Sequence, residues 1–229
     1  MGGRLAPIKK TSNLPALQAS HISTSLELAY VYLDTDERAK FAEGQFEQLV
    51  CQTQNLTQSF TSAKDRVRLD FNHTIIELLW AVRKQSSADA NDHFNFSGIT
   101  EPVTGANRDP VESATLRLNN NVRFSDEGRY FRLVQPYQHH TNVPESFVYS
   151  YSFALNPEDV QPSGTVNFSR IDNATLEVNL DDNLFKDNST VTTGPPGNAR
   201  EDSVDLIIYA RNWNVLRFKN GLAGLAFSS

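Results

Sequence analysis

The chain has 229 residues, 39% of them apolar and 10% aromatic, with Phe (14) the dominant large side chain. That supply fills a sizeable core, and an all-β chain of this length commonly forms one domain. The formal net charge of −6 excludes the basic surface that coats nucleic acid.

Residues 1–20 show no hydrophobic period and hold Pro7 and Pro15, so they read as an arm or the remnant of a linker. From Ser23 to Leu33, Leu26, Leu28, Tyr30 and Tyr32 alternate with Ser25, Glu27, Ala29 and Val31, which predicts a strand with one face the more buried. Asp34, with Glu37 three residues on, fits an acid helix cap, a simpler reading than a cation site. Phe41, Ala42, Phe46, Leu49 and Val50 then recur at helical spacing and predict an amphipathic helix over 35–52. Gly44 weakens that helix by about 1 kcal/mol relative to Ala.

Arg66–Phe71 and Ile75–Val82 read as strands around an Asn72-His73 turn. The second is apolar on both faces, and its Glu77 is expected to be paired, edge-facing or partly solvated rather than catalytic. Residues 84–112 form a long polar loop. Ala114–Leu118 predicts a strand, and Asn119–Asn121 a turn. Phe147, Tyr149, Tyr151 and Phe153 alternate with small residues in the cleanest period-two pattern of the chain. Such a row is expected in the core; the rival reading is a platform for sugar rings. Leu176, Val178 and Leu180 mark another strand, and residues 181–203 a second long polar loop. Val204–Tyr209 and Trp213–Phe218 close the chain as two strands. Together these predict an all-β fold, an eight-stranded jelly-roll β-sandwich with one inserted amphipathic helix near the N-terminus.

Chemistry-bearing constellations are sparse. Adjacent residues on a strand face opposite ways, so His139-His140 is a poor start for a metal site, and no third ligand has zinc spacing. There is no phosphate loop, His-Glu-x-x-His, Gly-x-Ser-x-Gly or spaced carboxylate pair. No catalytic, cofactor-binding or metal-binding residue is therefore assigned, and no cofactor or small-molecule substrate is expected. The single Cys51 reads as a small buried apolar residue and points to a reducing compartment. No run approaches the ~18 apolar residues of a membrane span. Six Asn-x-Ser/Thr sites stand at Asn55, Asn72, Asn95, Asn167, Asn173 and Asn188. Asn167 and Asn173 are expected in strand and turn roles. Asn95 and Asn188, in the two long loops, are the candidate glycan acceptors.

Three runs occur in order: QPYQHHT at 135–141, YSFALNPEDVQPSGTVNFSRIDN at 151–173 and YARNWNVLRFKNGLAGLAF at 209–227. With YVYLDTDER at 30–38, they closely resemble the second jelly roll of the major capsid proteins of nucleocytoplasmic large DNA viruses, of algal virus and iridovirus type. The resemblance implies an arm or linker remnant over 1–20 and a single jelly-roll capsid domain over 21–229, equivalent to the C-terminal half of a double jelly-roll protein. The chain would then be a fragment, or the product of a gene that lost or split its first half. The resemblance also implies an architectural role for the His139-His140 loop. By the same resemblance the chain is expected to be a structural protein of an icosahedral capsid, part of a trimeric pseudo-hexagonal capsomer. Its expected partners are other capsid chains, minor capsid proteins and internal membrane-associated capsid components, without direct nucleic-acid contact. Its expected place is the virion capsid, assembled in the host cytoplasm. A lone roll should expose apolar patches where the first roll would sit. The alternative function is a glycan-binding β-sandwich module.

Overall fold

The structure is a computed structural model that describes residues 25–89, 92–99, 107–185 and 203–227. Its strands are β1 (Gln45–Phe60), β2 (Lys64–Arg68), β3 (Thr74–Lys84), β4 (Val111–Leu118), β5 (Asn121–Glu127), β6 (Val148–Ser152), β7 (Val166–Asn167), β8 (Ala174–Leu180), β9 (Val204–Lys219) and β10 (Leu222–Leu225). One sheet runs β1-β9-β3-β6, with the short β7 on β3 and β10 on β9; the other runs β2-β8-β4-β5. Setting aside those two short strands, the first strand pairs with the last, the second with the second-last, the third with the sixth and the fourth with the fifth. This is an antiparallel ribbon rolled into two facing sheets, the jelly roll expected from the sequence.

The tip of the ribbon is the β4–β5 hairpin, where Asn119 and Asn120 both take positive φ (49° and 65°). A two-residue turn of this hand matches strand twist, and Asn tolerates it. The turn is tied to the start of β8, where the Asn173 amide donates to Asn120 Oδ1 and its backbone N–H to Asn119 Oδ1. Asn167 caps a short 3₁₀ turn by accepting from the Ser169 N–H, so both asparagines have the structural roles expected of them.

Several elements differ from expectation. Residues 25–34 form no strand, and residues 23–24, like the 1–20 arm, lie outside the described residues. Helix α1 covers Thr35–Glu43 only; the Asp34 carboxylate caps it through the Thr35 N–H at 2.7 Å. None of its residues is buried, so it is not amphipathic in the sense of covering a core. The expected second half of that helix is the start of β1. The long polar loop opens with a short helix α2 (Gln85–Asp89). The QPYQHH segment is not loop: a π-helical turn at Tyr130–Val134 runs into α3 (Gln135–His139), with Pro136 at the helix start, where a missing N–H costs nothing. Gly128 opens this connection, and a Cβ there would run into the Val111 carbonyl oxygen.

Between the sheets lies one apolar core. Trp80 is fully buried, 6.0 Å from the Tyr149 ring, 5.3 Å from Phe131 and 6.4 Å from Phe124. Phe124 also meets Tyr151 at 4.3 Å. Tyr149 and Tyr151 are buried and Phe147 and Phe153 half-buried, so the aromatic row is core and presents no sugar platform. The Tyr149 hydroxyl donates to Asp109 and accepts from the Val111 N–H. Burial, and then the Asp109 charge, push its pKa far above the ordinary tyrosine value.

One end of the sandwich is closed by amides rather than apolar groups. On β9, Asn212 and Asn214 are buried on the same face as Leu206, Ile208 and Ala210. The Gln54 amide donates to Asn212 Oδ1 and to the Asn72 carbonyl, and its oxygen accepts from the Asn72 N–H. Asn214 donates to Gln52 Oε1 and the Phe227 carbonyl, both at 2.9 Å. Each buried amide is thus satisfied at the level that burial demands.

Candidate assembly surface

Residues 25–34 are an apolar strip that none of the described residues covers. Leu26, Leu28, Tyr30, Val31 and Tyr32 are all largely exposed, Tyr32 at 91%. Phe41 of α1 and Phe46 of β1 stack at 5.3 Å and remain exposed themselves. The end of the larger sheet carries further exposed apolar side chains. β3 leaves β9 at Trp213, so Val215–Lys219 are flanked only by β1 and β10. The hairpin joining β9 to β10 turns at Asn220-Gly221, both with positive φ. Leu49, Leu222, Leu225 and Phe227 are exposed there too, with Leu225 on the sheet face of Phe46 and Leu49 and Leu222 on the opposite face. An apolar surface of this extent on an otherwise acidic, polar chain marks an interaction site.

The outer face of the same sheet carries a second feature. A β-bulge between Ile75 and Glu77 resets the alternation of β3, leaving Leu78, Trp80 and Val82 in the core and turning Glu77 outward. Glu77 is nonetheless only 1% exposed, because the connection after α3 lies over it. Its Oε1 accepts from Arg211 on β9, and its Oε2 is 3.0 Å from His140 Nε2. That second contact is an ion pair without the alignment of a good hydrogen bond. His140 Nδ1 faces Glu158 Oε1 at 3.2 Å, and Glu158 also accepts from the Thr141 N–H and hydroxyl. The Thr141 hydroxyl, more than His140, draws the Glu158 pKa down, and Glu77 draws the His140 pKa up against its own desolvation. His139 points elsewhere, its Nδ1 on the Leu155 carbonyl.

The expected pairing of Glu77 is therefore found, and the two histidines hold their connection in place. Among the described residues no group of three His, Cys, Asp or Glu side chains could hold a metal ion. Cys51, expected buried, is exposed on β1. The Asn95 amide donates to Asp92 at 2.9 Å and its oxygen accepts from the Gly98 N–H; Asn188 lies outside the described residues. Sequence reasoning missed the Glu77–His140–Glu158 cluster, since its members lie on three separate segments. It also missed the Gln52/Gln54 partners of the buried asparagines. The signal available for the latter was Asn212 and Asn214 at period two with the apolar residues before them.

A model of the large eukaryotic DNA virus major capsid protein family matches residues 37–224. The major capsid protein of Pyramimonas orientalis virus is 37% identical over an alignment covering 92% of this chain and 50% of that protein. That of Phaeocystis pouchetii virus is 33% identical over 93% of this chain and 55% of that protein. A quasi-atomic model of the PBCV-1 virus capsid superposes with a TM-score of 0.65 at 30% identity, over 87% of this chain and 56% of that one. The chain spans about half the length of the relatives it matches. The chain belongs to the major capsid protein family of large eukaryotic DNA viruses.

Proposed function

We propose that this chain is a structural unit of an icosahedral viral shell, one jelly roll over 21–229 preceded by an arm over 1–20, equivalent to the C-terminal half of a double jelly-roll capsid protein. It acts by packing and does no chemistry. The observation that carries this reading is the exposed apolar strip at 25–34, joined by exposed Phe41, Phe46, Leu222, Leu225 and Phe227, on a chain most of whose aromatic residues pack in or against one core. An exposed strip of this kind is the surface on which a second capsid roll, or a neighbouring subunit, would bury its own apolar face. A place in the virion capsid beside other capsid chains follows the family, and trimeric capsomers are consistent with it; minor capsid proteins and membrane-associated shell components as further neighbours, and assembly in the host cytoplasm, are part of the same proposal. Asn95 and Asn188 are proposed as glycan acceptors; for Asn95, attachment would require release of its bond to Asp92.

Light scattering over a concentration series tests the strip. The purified chain should rise above its monomer mass of 25.7 kDa as concentration increases. Replacing Tyr30, Tyr32 and Leu222 together by Ser should hold it at the monomer mass with thermal stability unchanged, since these side chains bury nothing in the monomer. A wild-type chain that stays monomeric throughout would contradict this use of the strip.

A further inference from the structure

We propose that His140 is a pH-operated latch that pins the connection between β5 and β6 onto the outer face of the larger sheet, by bridging a buried and an exposed carboxylate. The geometry requires the charged ring. His140 Nε2 stands 3.0 Å from Glu77 Oε2 on β3, and Nδ1 stands 3.2 Å from Glu158 Oε1 in the segment after β6. A neutral imidazole has one N–H and turns a lone pair toward the other carboxylate; only the imidazolium meets both favourably, as an ion pair with Glu77 and a hydrogen bond to Glu158.

The groups around the latch make the ring the responsive member. Arg211 on β9 holds the other oxygen of Glu77, and Cys51 on β1 lies beside Arg211. Thr141 holds the other oxygen of Glu158 through its N–H and hydroxyl. His139 is committed to the Leu155 carbonyl. Each carboxylate thus keeps a partner when His140 loses its proton, and what is lost is the link between them.

The link has a structural consequence. His140, Thr141 and Glu158 wall a cleft of about 500 Å³ whose floor is Leu79, Val148 and Ser150 of the sheet. With the latch made, the connection is fixed at both ends, by His140 and by the Ser152 N–H donating to Gln135 Oε1. With the latch released, the stretch beyond α3 keeps its Thr141 bonds to Glu158 and, at its far end, Phe147 against Arg132 and the core, and the cleft between these points can widen. The pKa of His140 is raised from its ordinary 6.5 by Glu77 and then Glu158, against desolvation. A raised folded value means the link is complete below the ordinary value and is lost as pH rises through the raised one. The latch is closed in acid and opens toward alkaline pH.

Hydrogen exchange of the full chain tests this, with the protection of peptides spanning 139–147 read against β8 peptides at about pH 6 and about pH 9, corrected for intrinsic rates. Wild-type protection of 139–147 should fall roughly tenfold relative to β8, the scale of one charge-assisted hydrogen bond. His140→Gln should give the same low ratio at both pH values. Glu158→Gln, a change at an exposed site that leaves the core untouched, should lower the His140 NMR titration midpoint and reduce the pH dependence without abolishing it, since Glu77 remains. A wild-type ratio that does not change with pH, a pH dependence that survives His140→Gln in full, or a Glu158→Gln profile and titration midpoint identical to the wild type would overturn the proposal.

Discussion

Trp80→Ala is expected to cost about 3–5 kcal/mol of folding stability, the range for removing a large buried aromatic side chain. Trp80 is 1% exposed at the centre of β3 and touches Phe124, Phe131 and Tyr149, which come from β5, the connection after it and β6. It is the side chain through which both sheets meet, so its removal leaves a cavity bordered by rigid rings that cannot collapse. For a chain of this size the midpoint of thermal unfolding should fall by roughly 10 °C or more. Trp80→Phe separates packing from polarity. The indole Nε1 is buried with no hydrogen-bond partner among the described residues, a liability that Phe does not carry. Phe should therefore recover most of the loss. Thermal melts of the two variants check both statements, and equal losses would mean that a smaller ring recovers nothing and the site needs the whole indole.

Arg211→Ala is expected to cost about 3 kcal/mol, the lower end of the range for stranding a buried charge, because Arg211 is itself 30% exposed. Glu77 would be left at 1% exposure with His140 as its remaining cationic partner. The loss should consequently be smaller at acid pH, where His140 is fully charged, and larger as pH rises through its raised pKa. Replacing the pair together, Glu77→Leu with Arg211→Met, should restore most of the stability, since a buried ion pair seldom outperforms apolar groups of like volume. Urea unfolding of the single and double variants at two pH values measures these differences. A single variant as stable as the wild type would mean that Glu77 is solvated in a way its burial denies.

The sequence revealed the jelly roll and much of its core, and the errors have identifiable causes. The first half of β1 was read as helix because Phe46, Leu49 and Val50 follow Phe41 and Ala42 at helical spacing, while Gln52 and Gln54 farther along break the apolar alternation that announces a strand. The partners that make those amides tolerable, Asn212 and Asn214, lie some 160 residues on, beyond the reach of any local window. The single 16-residue β9 was expected as two strands because Arg211 and the buried Asn212 interrupt its apolar run. β5 was passed over because only Phe124 on it is even half-buried; it is an edge strand, and edge strands carry little pattern. Residues 25–33 failed in the opposite sense: the alternation is genuine, but among the described residues there is no sheet for it to join. A strand pattern without a strand is what a segment destined for another surface would show. The candidate surface was thus partly legible as a pattern, while the Glu77–His140–Glu158 cluster depends on a bulge and a crossing connection that no spacing rule encodes.

The most direct test of the assembly surface compares hydrogen exchange of the dilute chain with that of the chain in an assembled capsomer or shell. Assembly should protect residues 25–49 and 215–227 and leave β4 and β8, already closed within the sandwich, unchanged. Unchanged exchange over 25–49, with new protection confined to other faces of the roll, would contradict the account.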